Sequence, residues 1–245
     1  SARPRRGLAL LLACALLGSV GGIAGQAVRD GAGAALTPAQ VYAQQAGAVV
    51  GIVNAAAGQT HGRASVGSGF VVSSDGNIIT NYHVVAGAQA LQVSLQDAAY
   101  PAALVAYAAD SDVAVLKIRA TGLQRVRLGD SDALAVGDQV AAIGNPLGEL
   151  TYTMTVGYIS ARNRAVTTEG AQIAMLQTDA AINAGSSGGP LFDMQGRVVG
   201  ITTAKYSGQT SSGAAIEGIG FAVPINTAKA LLRQLPGYMA QASGL

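Results

Sequence analysis

The chain has a single cysteine, Cys14, and it lies inside an apolar segment. No intrachain disulfide can form, and no cysteine-based metal site is available. Tryptophan is absent and only 4% of the residues are aromatic, so no stripe of aromatics interleaved with basic residues exists to grip nucleic acid. Charge is scarce as well, at 11% of 245 residues, which excludes a chain kept disordered by like charge. Three of the 15 basic residues (Arg3, Arg5 and Arg6) crowd the N-terminus. The remaining 12 face 13 acidic residues, so the pI near 8.8 reports a flank and not a basic surface. Histidine occurs only at His61 and His83, without an HExxH, which leaves a catalytic metal short of ligands. No GxxxxGK[ST] phosphate loop is present. We therefore expect no metal, no cofactor and no nucleic-acid partner.

What the chain has in quantity is apolar side chains, half of the total, and glycine, 33 residues. That suits a large core with many turns, in one domain or two small ones. Arg3-Pro-Arg-Arg6 precedes 22 uncharged residues, Gly7 to Val28. A helix of that length would cross about 30 Å of hydrocarbon, with the basic flank left in the cytoplasm. Residues 1–28 thus read as a signal anchor, holding the chain at the membrane through residues 7–28. The alternative is a cleaved signal peptide, with Gly25 and Ala27 before the cut and the product secreted. Either way the body is expected outside the cytoplasm, in a periplasm or at a cell surface. Residues 29–45, with Asp30-Gly-Ala-Gly-Ala-Ala and Thr37-Pro38, read as a linker.

From residue 48 onward the pattern is β. Expected strands are Ala48–Asn54, Gly69–Ser73, Asn77–Thr80, Leu91–Leu95, Val113–Ile118, Gln139–Ile143, Tyr152–Ser160, Ile173–Thr178, Arg197–Ala204 and Gly218–Val223. Asp75-Gly76 between two of them is a hairpin turn signal. Many short strands at this spacing suggest barrels or a sandwich. One helix is expected near the end, where Ile225, Ala228, Leu231, Leu232 and Leu235 recur at helical spacing after Pro224, with Asn226 as its cap.

Gly185-Ser186-Ser187-Gly188-Gly189-Pro190 is the strongest chemical signal, because of what precedes it. His83 closes the apolar run Ile78-Ile79-Thr80, Asp112 opens Val113-Ala114-Val115-Leu116, and Ser187 comes before Pro190-Leu191-Phe192. The chain order His, Asp, Ser is that of a chymotrypsin-like serine protease, with His83 as general base, Asp112 as its orienting acid and Ser187 as nucleophile. In that arrangement the backbone N–H groups of Gly185 and Ser187 form the oxyanion hole. Residues 185–189 also match G-x-S-x-G, the elbow of α/β-hydrolases, but that fold needs its histidine after the serine and none follows. His61, in the polar run Gln59-Thr60-His61-Gly62-Arg63, is expected to be exposed.

Taken together, Gly67-Ser-Gly-Phe-Val-Val, Asp75-Gly-Asn-Ile-Ile-Thr-Asn-Tyr-His83-Val-Val, Asp112-Val-Ala-Val-Leu-Lys-Ile118, Leu128-Gly-Asp-Ser-Asp132, Ile143-Gly-Asn-Pro-Leu-Gly148, Thr155-Val-Gly-Tyr-Ile-Ser160 and Gln177-Thr-Asp-Ala-Ala-Ile-Asn183 resemble the HtrA/Deg family of serine proteases. The resemblance implies an all-β, chymotrypsin-like double six-stranded β-barrel with a short C-terminal helix, here preceded by an N-terminal hydrophobic helix. The protease domain would cover 46–238, with a first barrel at about 46–128, a second at about 129–238 and a tail at 239–245. It also implies ATP-independent cleavage of unfolded or damaged exported proteins, often by a homotrimer. By matching position Ile182, Ala204 and Lys205 would border the substrate pocket.

The departures are Ala184 and Ser186, where the family usually has Pro and Asn, and Lys205, where an apolar residue is common. The first two prompt an alternative, an inactive protease-fold chaperone or binding module. A trypsin-like processing enzyme fits less well, since Ala181 stands where the acidic pocket residue would be. Family members commonly carry PDZ domains after the protease domain, and none is read here.

Overall fold

The computed structural model describes residues 35–55, 65–144, 152–167, 172–204 and 218–235. The expected anchor at 7–28, His61, Lys205 and the 239–245 tail lie outside the described residues. Among the described residues, no helix is long and apolar enough to cross a membrane.

Six antiparallel strands close a first barrel: β1 (Val49–Ala55), β2 (Ser65–Val71), β3 (Asn77–Thr80), β4 (Ala90–Leu95), β5 (Ala98–Ala108) and β6 (Val113–Ile118). Their spatial order is β1-β2-β3-β6-β5-β4, with β4 pairing back on β1. The chain then forms β7 (Arg127–Leu128), β8 (Gln139–Gly144), β9 (Thr153–Thr167), β10 (Gln172–Thr178), β11 (Pro190–Asp193), β12 (Arg197–Thr203) and β13 (Gly220–Pro224). Here β8, β9, β10, β13, β12 and β11 make a second closed ring, and β7 adds in parallel to β12. This is the chymotrypsin-like double barrel expected from the sequence.

Why strands such as Val113–Ile118 are apolar without alternation is now plain: both of their faces are buried. Ala114, Leu116 and Ile118 of β6 fill the first barrel with Val50, Ile52, Val71, Ile78 and Val93. Val113 and Val115 point the other way, into a cluster shared with Phe70, Ala141, Ile143, Phe192 and Ile201. On β8, Val140 and Ala142 likewise enter the second barrel with Ile159, Leu176, Leu191 and Val199. One core therefore lies in each barrel and a third joins them. Each fully buried Val, Leu or Ile there contributes roughly 1.5–3 kcal/mol relative to exposure.

Among the described residues three α-helices decorate the barrels: α1 (Pro38–Gln45), α2 (Tyr82–Val85) and α3 (Ile225–Leu232). Neither α1 nor α2 was expected, and α1 falls in the stretch expected as linker. Its signal was short but complete: Thr37 and Gln40 form a reciprocal capping box and Pro38 occupies the first turn. The helix α3 buries Ile225, Ala228, Leu231 and Leu232 as the periodicity predicts. Its expected cap, Asn226, does not cap it. Its N–H instead donates to the Ser131 hydroxyl at 3.3 Å and its side-chain amide to Asp130 at 2.7 Å. Among the strands, β5, β7 and β11 were not expected and β9 was expected to end too early. β5 went unseen because Ala-Ala-Tyr-Pro-Ala-Ala carries no alternation, and most of its residues are exposed. β9 runs past Ser160 to Thr167 through Arg162, Asn163 and Arg164, a polar stretch that offered no strand pattern.

The two barrels are stitched at the turn before β11. Ser68 N–H donates to Ser187 O at 2.7 Å. Gly188, at φ +87°, sits where any side chain would meet Ser68 O and Thr80 Oγ1. Only glycine satisfies both the left-handed conformation and that approach.

Candidate active site

His83 is carried by α2, a single turn that would not persist alone. Val84 and Val85 root it in the first-barrel core. At its open end, buried Asn54 of β1 donates its side-chain amide to Val84 O at 3.0 Å and to Ala86 O at 3.2 Å. These are carbonyls the helix itself leaves unpaired.

Asp112 precedes β6 in a left-handed conformation, φ +54° and ψ 42°. Such backbone is uncommon outside glycine and persists where neighbours enforce it. The enforcing neighbour is Asn81, fully buried, whose side-chain amide donates to Asp112 O at 3.0 Å. The carboxylate is thereby aimed at His83. Oδ1 accepts the His83 backbone N–H at 2.9 Å, and Nδ1 lies 2.8 Å from Oδ2 and 3.0 Å from Oδ1. A ring that donates Nδ1–H to a carboxylate presents Nε2 as its free base. Asp112 is only 5% exposed, so water competes little for this contact.

Ser187, 7% exposed, lies on the turn between β10 and β11. Gly185 and Gly188 flank it at φ +88° and +87°, which bends the chain tightly around the serine. Ser186 N–H donates to Asn183 O at 2.9 Å, Gly189 N–H to Ser186 O at 3.0 Å and Gly188 N–H to Thr202 O at 2.8 Å. The Thr202 hydroxyl adds a bond to Ser186 O at 2.7 Å. The Gly185 and Ser187 amides, by contrast, have no acceptor among the described residues. Buried N–H groups ordinarily find partners, and an oxyanion would supply one to both.

The Ser187 turn lies near α2, but its hydroxyl does not engage His83. A side chain placed at Gly67 would lie 2.6 Å from Val84 of α2 and 3.1 Å from Ser187 O. Yet Ser187 Oγ accepts from Ala204 N–H at 2.9 Å, and among the described residues no hydrogen bond joins it to His83.

The remaining expected residues divide. Ala204 borders Ser187 directly. Ile182 is half-buried against the second-barrel core, with its Cγ1 over the space a side chain on Gly220 would fill. Lys205 lies outside the described residues. The departure at Ser186 leaves the turn intact, because its stabilising bonds are made by backbone atoms that any residue supplies. Sequence reasoning overlooked Asn54 and Asn81. Each was visible as a polar residue next to an apolar strand run, a position that requires a hydrogen-bonding reason.

Shifted titration belongs to the start of α3. The Asn226 side-chain amide, then the Asp132 backbone N–H, hold the Asp130 carboxyl below its ordinary value. Burial pushes the Lys229 ammonium down.

Two barrels with a His–Asp pair on one and a glycine-flanked serine on the other define a trypsin-like peptidase domain, and the model of that family, the trypsin-like peptidase domain, matches residues 67–201. A DegP-like periplasmic serine endoprotease of Hahella chejuensis is 47% identical over 172 residues, 70% of this chain and 35% of the relative. A DegP-like relative of Halomonas elongata is 46% identical over 181 residues, 74% of this chain and 37% of its own length. Among solved structures, the HtrA-type protease AlgW with a tripeptide superposes at a TM-score of 0.70 with 38% identity, covering 80% of this chain and 62% of that one. The chain belongs to the HtrA family of trypsin-like serine proteases. It spans little more than a third of the length of these curated relatives.

Proposed function

We propose that the chain is an exported serine endopeptidase that cleaves unfolded or damaged polypeptides through His83, Asp112 and Ser187, without ATP. The observation that carries this reading is the 2.8 Å contact between His83 Nδ1 and buried Asp112, which leaves Nε2 as the free ring nitrogen. On rotation of Oγ, His83 Nε2 takes its proton as Oγ bonds to the scissile carbonyl carbon. The carbonyl oxygen becomes an oxyanion held by the Gly185 and Ser187 amides. His83 then returns the proton to the leaving amine, the C–N bond breaks, and water repeats the sequence on the acyl-enzyme. Independence from ATP rests on the family resemblance.

The periplasmic relatives, with the basic flank and apolar run at Arg3–Val28, support work outside the cytoplasm. Residues 7–28 would anchor the chain there or be removed. Assembly as a trimer, and Ile182, Ala204 and Lys205 as the walls of the pocket, rest on the family resemblance. Purified Ser187→Ala is expected to lose casein cleavage by on the order of 10⁴-fold or more. Retained cleavage would end the reading.

One observation favours a second reading. The Ser187 hydroxyl is held by Ala204 N–H rather than by His83, as in a chain that binds polypeptides without cutting them. Casein bound by the wild type with cleavage no faster than in Ser187→Ala would select it.

A further inference from the structure

We propose that Ser68 is a positioning residue for the oxyanion hole. From the first barrel, its hydroxyl fixes the peptide that links Gly185 to Ser186 in the second. The inference rests on the peptidase reading above and deepens it.

Ser68 is fully buried on β2 and grips the turn with side chain and backbone. Its Oγ–H donates to Gly185 O at 2.7 Å, and its N–H donates to Ser187 O at 2.7 Å. Its own carbonyl accepts the Thr80 hydroxyl at 2.7 Å, so Ser68 is held in turn by the strand that leads to α2. The Gly185–Ser186 peptide is consequently fixed at both ends, its C=O by Ser68 and its N–H by Asn183 O at 2.9 Å. The two amides that have no acceptor, Gly185 and Ser187, lie on either side of that peptide.

The direction of a backbone N–H follows from the torsions next to it, and Gly185 restrains those torsions little. Glycine at φ +88° occupies one of several open wells. With the Ser186 N–H on Asn183 O, the bond from Ser68 fixes the other end of the peptide that lies between the two donors. Space around the hydroxyl is tight, since a side chain on Gly144 would lie 3.2 Å from both Ser68 Oγ and Ser186 Cα. Ser68→Ala removes one hydroxyl and keeps the N–H bond to Ser187 O. The stitch between the barrels survives while the Gly185 carbonyl is released.

A donor misplaced by a fraction of an ångström weakens transition-state binding and leaves ground-state binding alone. Ser68→Ala in the full chain is expected to lower kcat on a peptide substrate roughly 10- to 100-fold, with KM within twofold of wild type. The affinity for the boronate acetyl-Ala-Ala-boroVal should fall by the same factor as kcat/KM. Binding of the matching peptide amide should be unchanged. By NMR, the Ser186 amide should exchange on the order of 10 times faster, while the Gly188 amide, held by Thr202 O, keeps its wild-type rate.

A merely structural role would lower the melting temperature and leave kcat of the folded fraction alone; that result, or unchanged Ser186 exchange, overturns the inference. If the wild type neither cleaves peptides nor binds the boronate, the peptidase reading fails, and exchange alone decides the role of Ser68. If Ser68→Ala does not accumulate as folded protein, Thr80→Val loosens Ser68 from the other side. The same ratios should then move less, in the same direction, and no movement in either overturns the inference.

Discussion

In the first barrel His83 meets Asp112 through three contacts between 2.8 and 3.0 Å, and buried asparagines hold each from behind. In the second, the Ser187 hydroxyl rests on Ala204 N–H, and two amides of its turn have no acceptor. The His83–Asp112 pair is thus held by contacts within the protein, whereas in the reading proposed above Ser187 and the two amides become complete only when a scissile carbonyl arrives. The same hydrogen-bonding rule governs both halves. On the His–Asp side every polar contact that aims the pair is made within the protein, and on the serine side two N–H groups have no acceptor among the described residues.

The comparison breaks most visibly at Asp112. Asp112→Asn leaves the shape and takes away the acceptor that fixes the His83 tautomer, so kcat at neutral pH is expected to fall by about 10⁴-fold. A fall of less than tenfold would mean that the first barrel is not the pre-formed half. Asn81→Ala strikes the support rather than the pair. With Asp112 O left unpartnered, stability should drop by about 1–3 kcal/mol in a denaturant titration. Because the left-handed Asp112 loses its restraint, kcat should drop on the order of tenfold as well.

The smallest expected effect lies away from both halves, at the start of α3. Asp130 has its carboxyl held low in the folded chain, so this contribution is fully present above the unfolded value near pH 4 and fades as pH falls through the lowered folded value. Asn226→Ala should cost well under 1 kcal/mol at neutral pH, since Asp130 is exposed. Thermal melts of variant and wild type should converge below that range. A gap that widens in acid would reverse the sign.

The architecture was legible in the sequence because period-2 and continuous apolar runs report which strand faces are buried. Ile78–Thr80 and Val113–Ile118 carried that signal, and each leads to a site residue at its end. β5 and the far half of β9 did not, since their side chains are mostly exposed and no core imprints a pattern on them. Chain order was enough to propose His83, Asp112 and Ser187. The contact of Ala204 N–H with the Ser187 hydroxyl could not be foreseen, because a side-chain rotamer leaves no trace in residue types. Nor could Asn54, Asn81 and Ser68 be assigned. Their partners are backbone carbonyls, some more than 100 residues away in the chain, and a carbonyl looks the same in every residue.

Fluorophosphonate labelling of Ser187, followed by mass spectrometry with an unfolded protein present, tests the central claim most directly. Activation of that serine by His83 predicts one adduct, on the peptide containing Ser187. It should be absent in Ser187→Ala and slowed on the order of 10³-fold in His83→Ala. An unlabelled Ser187, or equal labelling rates in the wild type and His83→Ala, would contradict it.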